Sequence, residues 1–166
     1  MKKILFIALL VCGMQLQAQK TFKLFNLTAN TVTIDDLVTN TGTAGAFPQF
    51  HSKPGGPVNI APFGSYTLTT TNLTRFPFFS PTSVPTINSW ERATSATSST
   101  VISSTVAFPL GGIQVFYWIQ VRIGSNTKHI GIPASGYTQS LTSNGWTASY
   151  TQTGTTAAPI YTVTIQ

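Results

Sequence analysis

The longest stretch with the pattern of a β-strand is IQVFYWIQVRI, at residues 113–123. Every second position is apolar, and this period of two residues is typical of a β-strand that buries one face. β-branched and aromatic side chains also fit a pleated sheet well. We therefore predict one strand over the whole stretch, and its predicted core row is Ile113, Val115, Tyr117, Ile119, Val121 and Ile123.

Beyond residue 19, the chain contains further segments with the composition of β-strands, each shorter than residues 113–123. Runs rich in Thr, Val, Ile and aromatic residues alternate with Gly, Pro, Asn and Ser, which favour turns. No such segment keeps the 3.6-residue apolar period of a helix over helical length. Two stretches, 40–64 and 75–86, are predicted to be irregular. The predicted strands are residues 21–28, 31–38, 65–73, 87–92, 100–108, 113–123, 127–132, 137–141, 146–152 and 160–166.

The alternation also indicates how the strands are arranged. In residues 161–165, Tyr, Val and Ile alternate with Thr, so one face is apolar and the other carries hydroxyl groups. Antiparallel sheets permit one solvated face, and the Asn-Gly pair at 144–145 suits a tight hairpin turn. We predict an all-β fold, a single antiparallel β-sandwich of immunoglobulin-like or jelly-roll type over residues 20–166.

Residues 1–19 resemble a cleaved signal peptide. Lys2 and Lys3 precede an uncharged apolar run at 4–14, and Ala18 supplies a small residue for cleavage. The run is shorter than the ~20 residues of a spanning helix. We expect a secreted, periplasmic or cell-surface protein with no membrane span once the leader is removed. Cleavage would remove Cys12, the single cysteine, so the mature domain would contain no disulfide or thiolate metal site.

Charge is scarce and scattered along this chain. Charged residues are 7% of the sequence, against ~25% in average proteins, while 28 Thr and 15 Ser supply neutral polarity. Without the two leader lysines, seven basic residues oppose three acidic ones, and most basic residues stand alone. Because tracking a phosphate backbone needs clustered cations, a nucleic-acid partner is not predicted.

The groups available for catalysis are few, namely Asp35, Asp36, Glu91, His51 and His129. On a strand, Asp35 and Asp36 would face opposite sides, and solvated or turn-capping carboxylates are the simplest expectation. The histidines show no metal-ligand spacing, three acids are too few for a calcium cage, and no G-x-S-x-G motif is present. We predict a protein that is not an enzyme and has no catalytic residue, metal site or cofactor.

The second face of residues 113–123 mixes aromatic rings with amide and guanidinium groups. It contains Phe116 beside the polar positions, and Trp90 with Arg92 repeats this composition on another predicted strand. Such a mixture suits stacking and hydrogen bonding to a sugar, although the same rings could pack beneath a long loop. The predicted ligand-binding residues are Gln114, Trp118, Gln120, Arg122 and Trp90.

The leading hypothesis is an exported β-sandwich for binding or adhesion at the cell envelope or outside the cell. Its partner would be a glycan or a surface protein. The alternative is a structural subunit that forms homo-oligomers through exposed strand edges, because the uncharged last strand lacks the lysine or proline that protects an edge. This last strand could equally be an interior strand that is already paired on both sides. An enzyme with an unrecognised site and a small outer-membrane barrel remain as further alternatives, opposed by the few titratable groups and the short strands.

Overall fold

The computed structural model describes residues 19–70, 75–78 and 85–166. Cys12 and the predicted leader, apart from Gln19, lie outside these residues. The described chain is mostly β-structure, as predicted, and forms two open sheets in which antiparallel pairs predominate. No helix within the described ranges has the length and apolar character needed to cross a membrane.

Twelve strands run through the described residues, and each predicted strand overlaps one of them. Short helical turns at Lys53–Gly55, Phe108–Ile113 and Pro133–Ser135 and one α-helical turn, α1 (Ser104–Ala107), join some of them. The strands are β1 (Thr21–Asn26), β2 (Val32–Asn40), β3 (Gln49–His51), β4 (Val58–Ile60), β5 (Ser65–Thr69), β6 (Ser89–Ser95), β7 (Ser98–Ser103), β8 (Val115–Ile123), β9 (Asn126–Gly131), β10 (Ser140–Ser143), β11 (Trp146–Gly154) and β12 (Pro159–Ile165).

The five-stranded sheet has the order β10-β11-β12-β1-β5. The last strand, β12, runs antiparallel to β11 and parallel to β1. The expectation of a purely antiparallel fold is therefore wrong for this one pair. A parallel pair needs a long connection between its strands, and residues 27–158 connect these two. Because β12 pairs with β11 on one side and with β1 on the other, it is an interior strand.

The seven-stranded sheet has the order β7-β6-β3-β2-β8-β9, with β4 also paired to β2. β3 and β4 come from the stretch at 40–64 that was predicted to be irregular. Each is only three residues long, which is too short for a period of two to be recognised. The predicted strand 100–108 is also shortened, because β7 ends at Ser103 and α1 follows.

One hydrophobic core receives side chains from both sheets, in a sandwich-like arrangement. Phe116 of β8 stacks on Phe22 of β1 and on Tyr150 of β11, with ring centroids 5.4 and 5.1 Å apart. Removing these large apolar surfaces from water is the main stabilising contribution to the fold. Among the described residues, the largest fully buried side chains are Trp90, Tyr161, Phe22, Phe50, Phe76, Phe78 and Phe116.

A β-bulge in β8 changes which of its side chains are buried. Trp118 pairs with Val38 of β2, but Phe116 pairs with the next residue, Thr39, so Tyr117 is an extra residue in the ladder. Such an extra residue bends the strand and interrupts the alternation of its side chains, so positions expected to face outward beyond it face inward.

The bulge corrects the predicted core row. Ile119, Val121 and Ile123 belong to the core, as expected, but Phe116 takes the inward position that Tyr117 was predicted to hold. The hydroxyl of Tyr117 instead donates to the carbonyl of Ala134, outside the core cluster. Ile113, at the end of the row, is 56% exposed.

Candidate functional site

The outer face of the seven-stranded sheet, which points away from the core, concentrates the titratable groups of this weakly charged chain. Cross-strand pairing places Glu91, His51, Val38, Trp118 and Gly131 in one row from β6 to β9. By contrast, the outer positions of the five-stranded sheet are mainly Thr and Ser. The groups gathered on or beside the outer face of the larger sheet are Asp35, Asp36, His51, Lys53, Glu91, Arg122 and His129.

Three rings on this face form a contact cluster, which we call the aromatic platform: Trp118, His129 and Tyr137. The centroid of the Trp118 ring lies 5.4 Å from those of both His129 and Tyr137. His129 and Tyr137 stack on each other at 4.8 Å with an angle of 12° between their planes. Tyr137 is 38% exposed and the other two rings are half-buried, so the platform presents ring surface to solvent.

Gly131 allows the chain to pass close to the platform. It lies directly opposite Trp118, and a Cβ atom there would come within 2.7 Å of both the Trp118 Cβ and the carbonyl oxygen of Tyr117. After Gly131 the chain turns through Pro133–Ser135 and returns, and the Gly131 N–H donates to the carbonyl of Thr138. This return positions Tyr137 against Trp118.

Gln120 fixes the orientation of His129. The Nε2 atom of His129 donates to Oε1 of Gln120 over 3.2 Å, and the two residues are cross-strand partners. Burial lowers the pKa of the His129 imidazole, and the nearby Asp36 carboxylate offsets part of this effect. The ring is therefore neutral at pH 7 and stacks on Tyr137 without a charge.

Asp36 is a buried carboxylate that orients His51. Only 4% of Asp36 is exposed, and its Oδ2 atom lies 2.8 Å from Nδ1 of His51. Its Oδ1 atom accepts hydrogen bonds from the backbone N–H groups of Ser52 and Lys53, at 2.8 and 3.3 Å. The expectation of a solvated carboxylate is wrong for Asp36, whereas a turn-capping carboxylate agrees with its hydrogen bonds to the N–H groups at the start of the Lys53–Gly55 turn. The His51 ring, held in this way, meets Trp118 edge to face at 5.7 Å.

A second bulge brings Asp35 to the same face. The pairing of β2 with β8 shifts between Ile34 and Asp36, which leaves Asp35 as the extra residue. Its two oxygens accept hydrogen bonds from Nε and Nη2 of Arg122, both at 2.8 Å. Neighbouring carboxylates on a regular strand would face opposite sides, so the bulge explains why that expectation is wrong here.

A cavity of about 450 Å³ lies beside His51, over β3, β6 and β7. We call it the His51 cavity. Glu91 lines it and binds Nζ of Lys53 at 2.8 Å. Hydrogen bonds from Lys53 and Ser99 lower the pKa of Glu91, so this carboxylate is ionised. The lining residues are Phe47, Gln49, His51, Glu91, Ala93, Ser95, Ala96, Thr97, Ser98 and Ser99.

Another cavity, of about 400 Å³, lies where β8, β11 and β12 meet at one end of the core. Phe116 and Tyr161 form part of its lining, together with Gln152 and neighbouring threonines. None of its lining residues is charged. The outer face of the larger sheet offers a more varied set of binding groups.

The structure brings three of the five predicted ligand-binding residues together. Trp118, Gln120 and Arg122 follow one another on the outer side of β8. Gln114 and Trp90 are fully buried, so neither presents a surface to a ligand.

The two buried residues have internal roles. Gln114 lies beyond the β8 bulge and accepts a hydrogen bond from the hydroxyl of Thr39. Trp90 faces the core, and its Nε1 donates to Oγ of Ser104 at 3.1 Å. Their inclusion in the predicted site assumed unbroken alternation in β8 and an outward Trp90.

Sequence reasoning missed the partners that surround Trp118, namely His51, His129, Tyr137 and Asp36. One signal for His129 was present, since a hairpin turn at 124–125 sets Gln120 opposite His129. His51 and Tyr137 arrive from distant segments, and nothing local indicates their position.

Comparison of the chain with known family models, curated proteins and solved structures found no match. Its function is therefore inferred from the chemistry of the outer face.

Proposed function

We propose that the protein is an exported, non-enzymatic binding module that recognises a carbohydrate on the outer face of its seven-stranded sheet. The observation that carries this proposal is the half-exposed aromatic platform, set beside polar groups with fixed orientations. Rings provide flat apolar contact area, and a few positioned polar groups provide specificity. A sugar offers a complementary surface, with apolar C–H faces and hydroxyl groups at its edges.

The rigidity of the platform supports a binding role. Trp118 and His129 project from adjacent strands, and Tyr137 is held on them by the return of the chain after Gly131. Side chains that are already ordered lose little conformational entropy when a ligand binds. Gln120 and Arg122 lie along the same strand as Trp118, where amide and guanidinium groups can reach ligand hydroxyls.

The titratable groups of this face support a non-enzymatic role. Asp36 is engaged by His51 and two backbone N–H groups, while Lys53 binds Glu91. Glycoside hydrolysis needs one carboxyl group as an acid and a second as base or nucleophile, both open to the substrate. Here the Asp36 carboxylate is buried and Glu91 is held ionised by its partners.

The proposal also includes export and a defined topology. The leader pattern of residues 1–19 favours secretion, to the periplasm, the cell surface or the medium. Two sheets around one core favour a β-sandwich of immunoglobulin-like or jelly-roll type. Detection of the processed chain outside the cytoplasm, with its N-terminus near residue 19, would be the expected result of fractionation and N-terminal sequencing.

A glycan array followed by calorimetry tests carbohydrate recognition. The purified protein is expected to bind a subset of glycans, and Trp118→Ala is expected to abolish that binding. Phe63→Ala is the matched control, because Phe63 is 73% exposed and is not part of the platform. Absence of binding by the wild-type protein, or equal binding by Trp118→Ala, would refute the proposal.

Self-assembly through a strand edge is a second candidate, favoured by one observation. β7 is an edge strand without a charged residue or proline, and its Val101 is 60% exposed. Natural edges usually carry such protective residues. Light scattering should then show oligomers that Val101→Lys dissociates. A wild-type protein that stays monomeric at high concentration would argue against assembly.

A further inference from the structure

We propose that the His51 cavity is a second subsite of the same binding face, and that the ligand is a neutral oligosaccharide. Its chain would lie across the strands, with one end on the aromatic platform and the other in the cavity. This inference rests on the proposed carbohydrate recognition and adds the length, direction and charge of the ligand.

The cavity and the platform are continuous through His51. His51 lines the cavity on one side and contacts the Trp118 ring on the other, with centroids 5.7 Å apart. Val38 lies between them in the cross-strand row and is fully buried in spite of its outer position. Three strand spacings separate Glu91 from Trp118, or about 14 Å at ~4.8 Å per strand. A ligand that touches both must therefore be longer than one sugar ring.

The cavity has the chemistry of a sugar subsite in its own right. Phe47 gives it an exposed aromatic wall, and Gln49 adds an amide beside His51. Since Nδ1 of His51 is bound to Asp36, Nε2 is the ring nitrogen through which His51 can bind a ligand. The ionised Glu91 supplies an acceptor for hydroxyl groups. The volume of about 450 Å³ also lies within the usual range for small-ligand sites, roughly 300–1,000 Å³.

The charges of the face favour a neutral ligand. Its ionic side chains are already matched in the described structure, in the pairs Asp35–Arg122 and Lys53–Glu91, while Asp36 is bound by His51. A charged ligand would compete with a partner that is already in place, and its charge would lose hydration without gaining an unpaired opposite charge, which costs free energy. Hydroxyl groups can add further hydrogen bonds to these oxygens and nitrogens without breaking the pairs.

Calorimetry with a series of neutral oligosaccharides tests the second subsite. The probes are glucose, mannose and N-acetylglucosamine oligomers from one to six rings, together with acidic oligomers of galacturonic acid. In the wild-type protein the affinity for the preferred neutral series should rise by about tenfold or more with chain length. The acidic oligomers should bind more weakly than the neutral ones.

Two variants separate the cavity from the platform. Ala93→Phe fills the cavity and Phe47→Ala removes its wall, so both should abolish the gain from chain length while short oligomers bind as before. Phe63→Ala is again the control for loss of an exposed ring, and thermal unfolding checks that each variant is folded.

The possible results distinguish the two proposals. If the wild-type protein binds no oligomer, carbohydrate recognition and the second subsite both fail. If short oligomers bind but affinity does not rise with chain length, the second subsite is refuted while recognition at the platform stands. The same holds if Ala93→Phe still binds longer oligomers more tightly than short ones. Tighter binding of the acidic series would refute the neutral ligand.

Discussion

Gly131 lies opposite Trp118 in the β8–β9 pair, at a position where any side chain would meet the Trp118 Cβ and the Tyr117 carbonyl. Both obstacles are on or next to the backbone, so they cannot rotate away. We expect Gly131→Ala to lower the free energy of unfolding by about 1–3 kcal/mol through overpacking. Urea unfolding followed by tryptophan fluorescence measures this change.

The control for Gly131→Ala is an exposed position on the same strand. Lys128→Ala should change the free energy of unfolding by no more than about 0.5 kcal/mol, as is usual for surface substitutions. If both variants unfold at the same urea concentration as the wild-type protein, the close approach at Gly131 is not a real constraint.

Asp35 and Asp36 are adjacent residues of the same type in different environments, so they form a matched pair. Asp36→Asn removes the negative charge that holds His51 and two backbone N–H groups, and should cost about 1.5–3 kcal/mol. Asp35→Asn should cost clearly less, because the Asp35–Arg122 pair is partly exposed and solvent screens it. Chemical unfolding at neutral pH compares them. If both variants lose the same free energy of unfolding, the inference that the buried Asp36 contributes more to stability than Asp35 is wrong.

The lowered pKa of His129 predicts a loss of stability in mild acid. Burial, its main cause, places the pKa in the folded protein below the ordinary value of 6.5. Below about pH 6.5 the unfolded chain therefore binds more protons than the folded one, so the free energy of unfolding falls as the pH falls. Above that pH the contribution of this group is fully present.

His129→Gln isolates this effect, since glutamine does not titrate. Urea unfolding at several values from about pH 7.5 to about pH 5 should give a shallower pH dependence for the variant than for the wild-type protein. An NMR titration of the imidazole measures its pKa directly. A His129 pKa above 6.5, or identical slopes for both proteins, would show that burial of this ring is not the controlling factor.

The bulge in β8 predicts opposite outcomes for two residues of the same strand region. Phe116→Ala should cost about 3–5 kcal/mol, because Phe116 is fully buried between Phe22 and Tyr150. Ile113→Ala should leave the free energy of unfolding almost unchanged, since Ile113 is largely exposed. Without the bulge, Ile113 would face the core and Phe116 would face outward, so Ile113→Ala would be the more destabilising variant. Comparing the free energies of unfolding of the two variants therefore tests the register of β8.

Alternation and turn chemistry were sufficient to predict the all-β class and the approximate position of ten strands. These two signals failed where an element is too short to show alternation, or where its composition favours a different structure. The three-residue strands β3 and β4 are too short to show a period, and α1 interrupts a Thr- and Val-rich stretch that favours a strand. The parallel pairing of β1 with β12 depends on the whole chain and has no local signal.

The candidate site was predictable in part for the same reasons. Trp118, Gln120 and Arg122 lie at alternate positions on the outer side of β8, and strand periodicity found them. The bulge at Tyr117 turned Gln114 inward, because one extra residue reverses every side chain beyond it. His51 and Asp36 meet only because β3 pairs with β2, a tertiary contact between segments that show no relation in sequence.

The pairing of β1 with β12 has a consequence for how the chain reaches its folded state. Phe22 finds its ladder neighbour, Tyr161, only after all the residues between them in sequence have been synthesised. Contacts between such distant segments slow folding, because a long loop must be closed before they form. Until β12 arrives, β1 and β11 each have an open side that another molecule could occupy. The nascent domain therefore exposes two unpaired strand edges, at which it can aggregate, until β12 emerges.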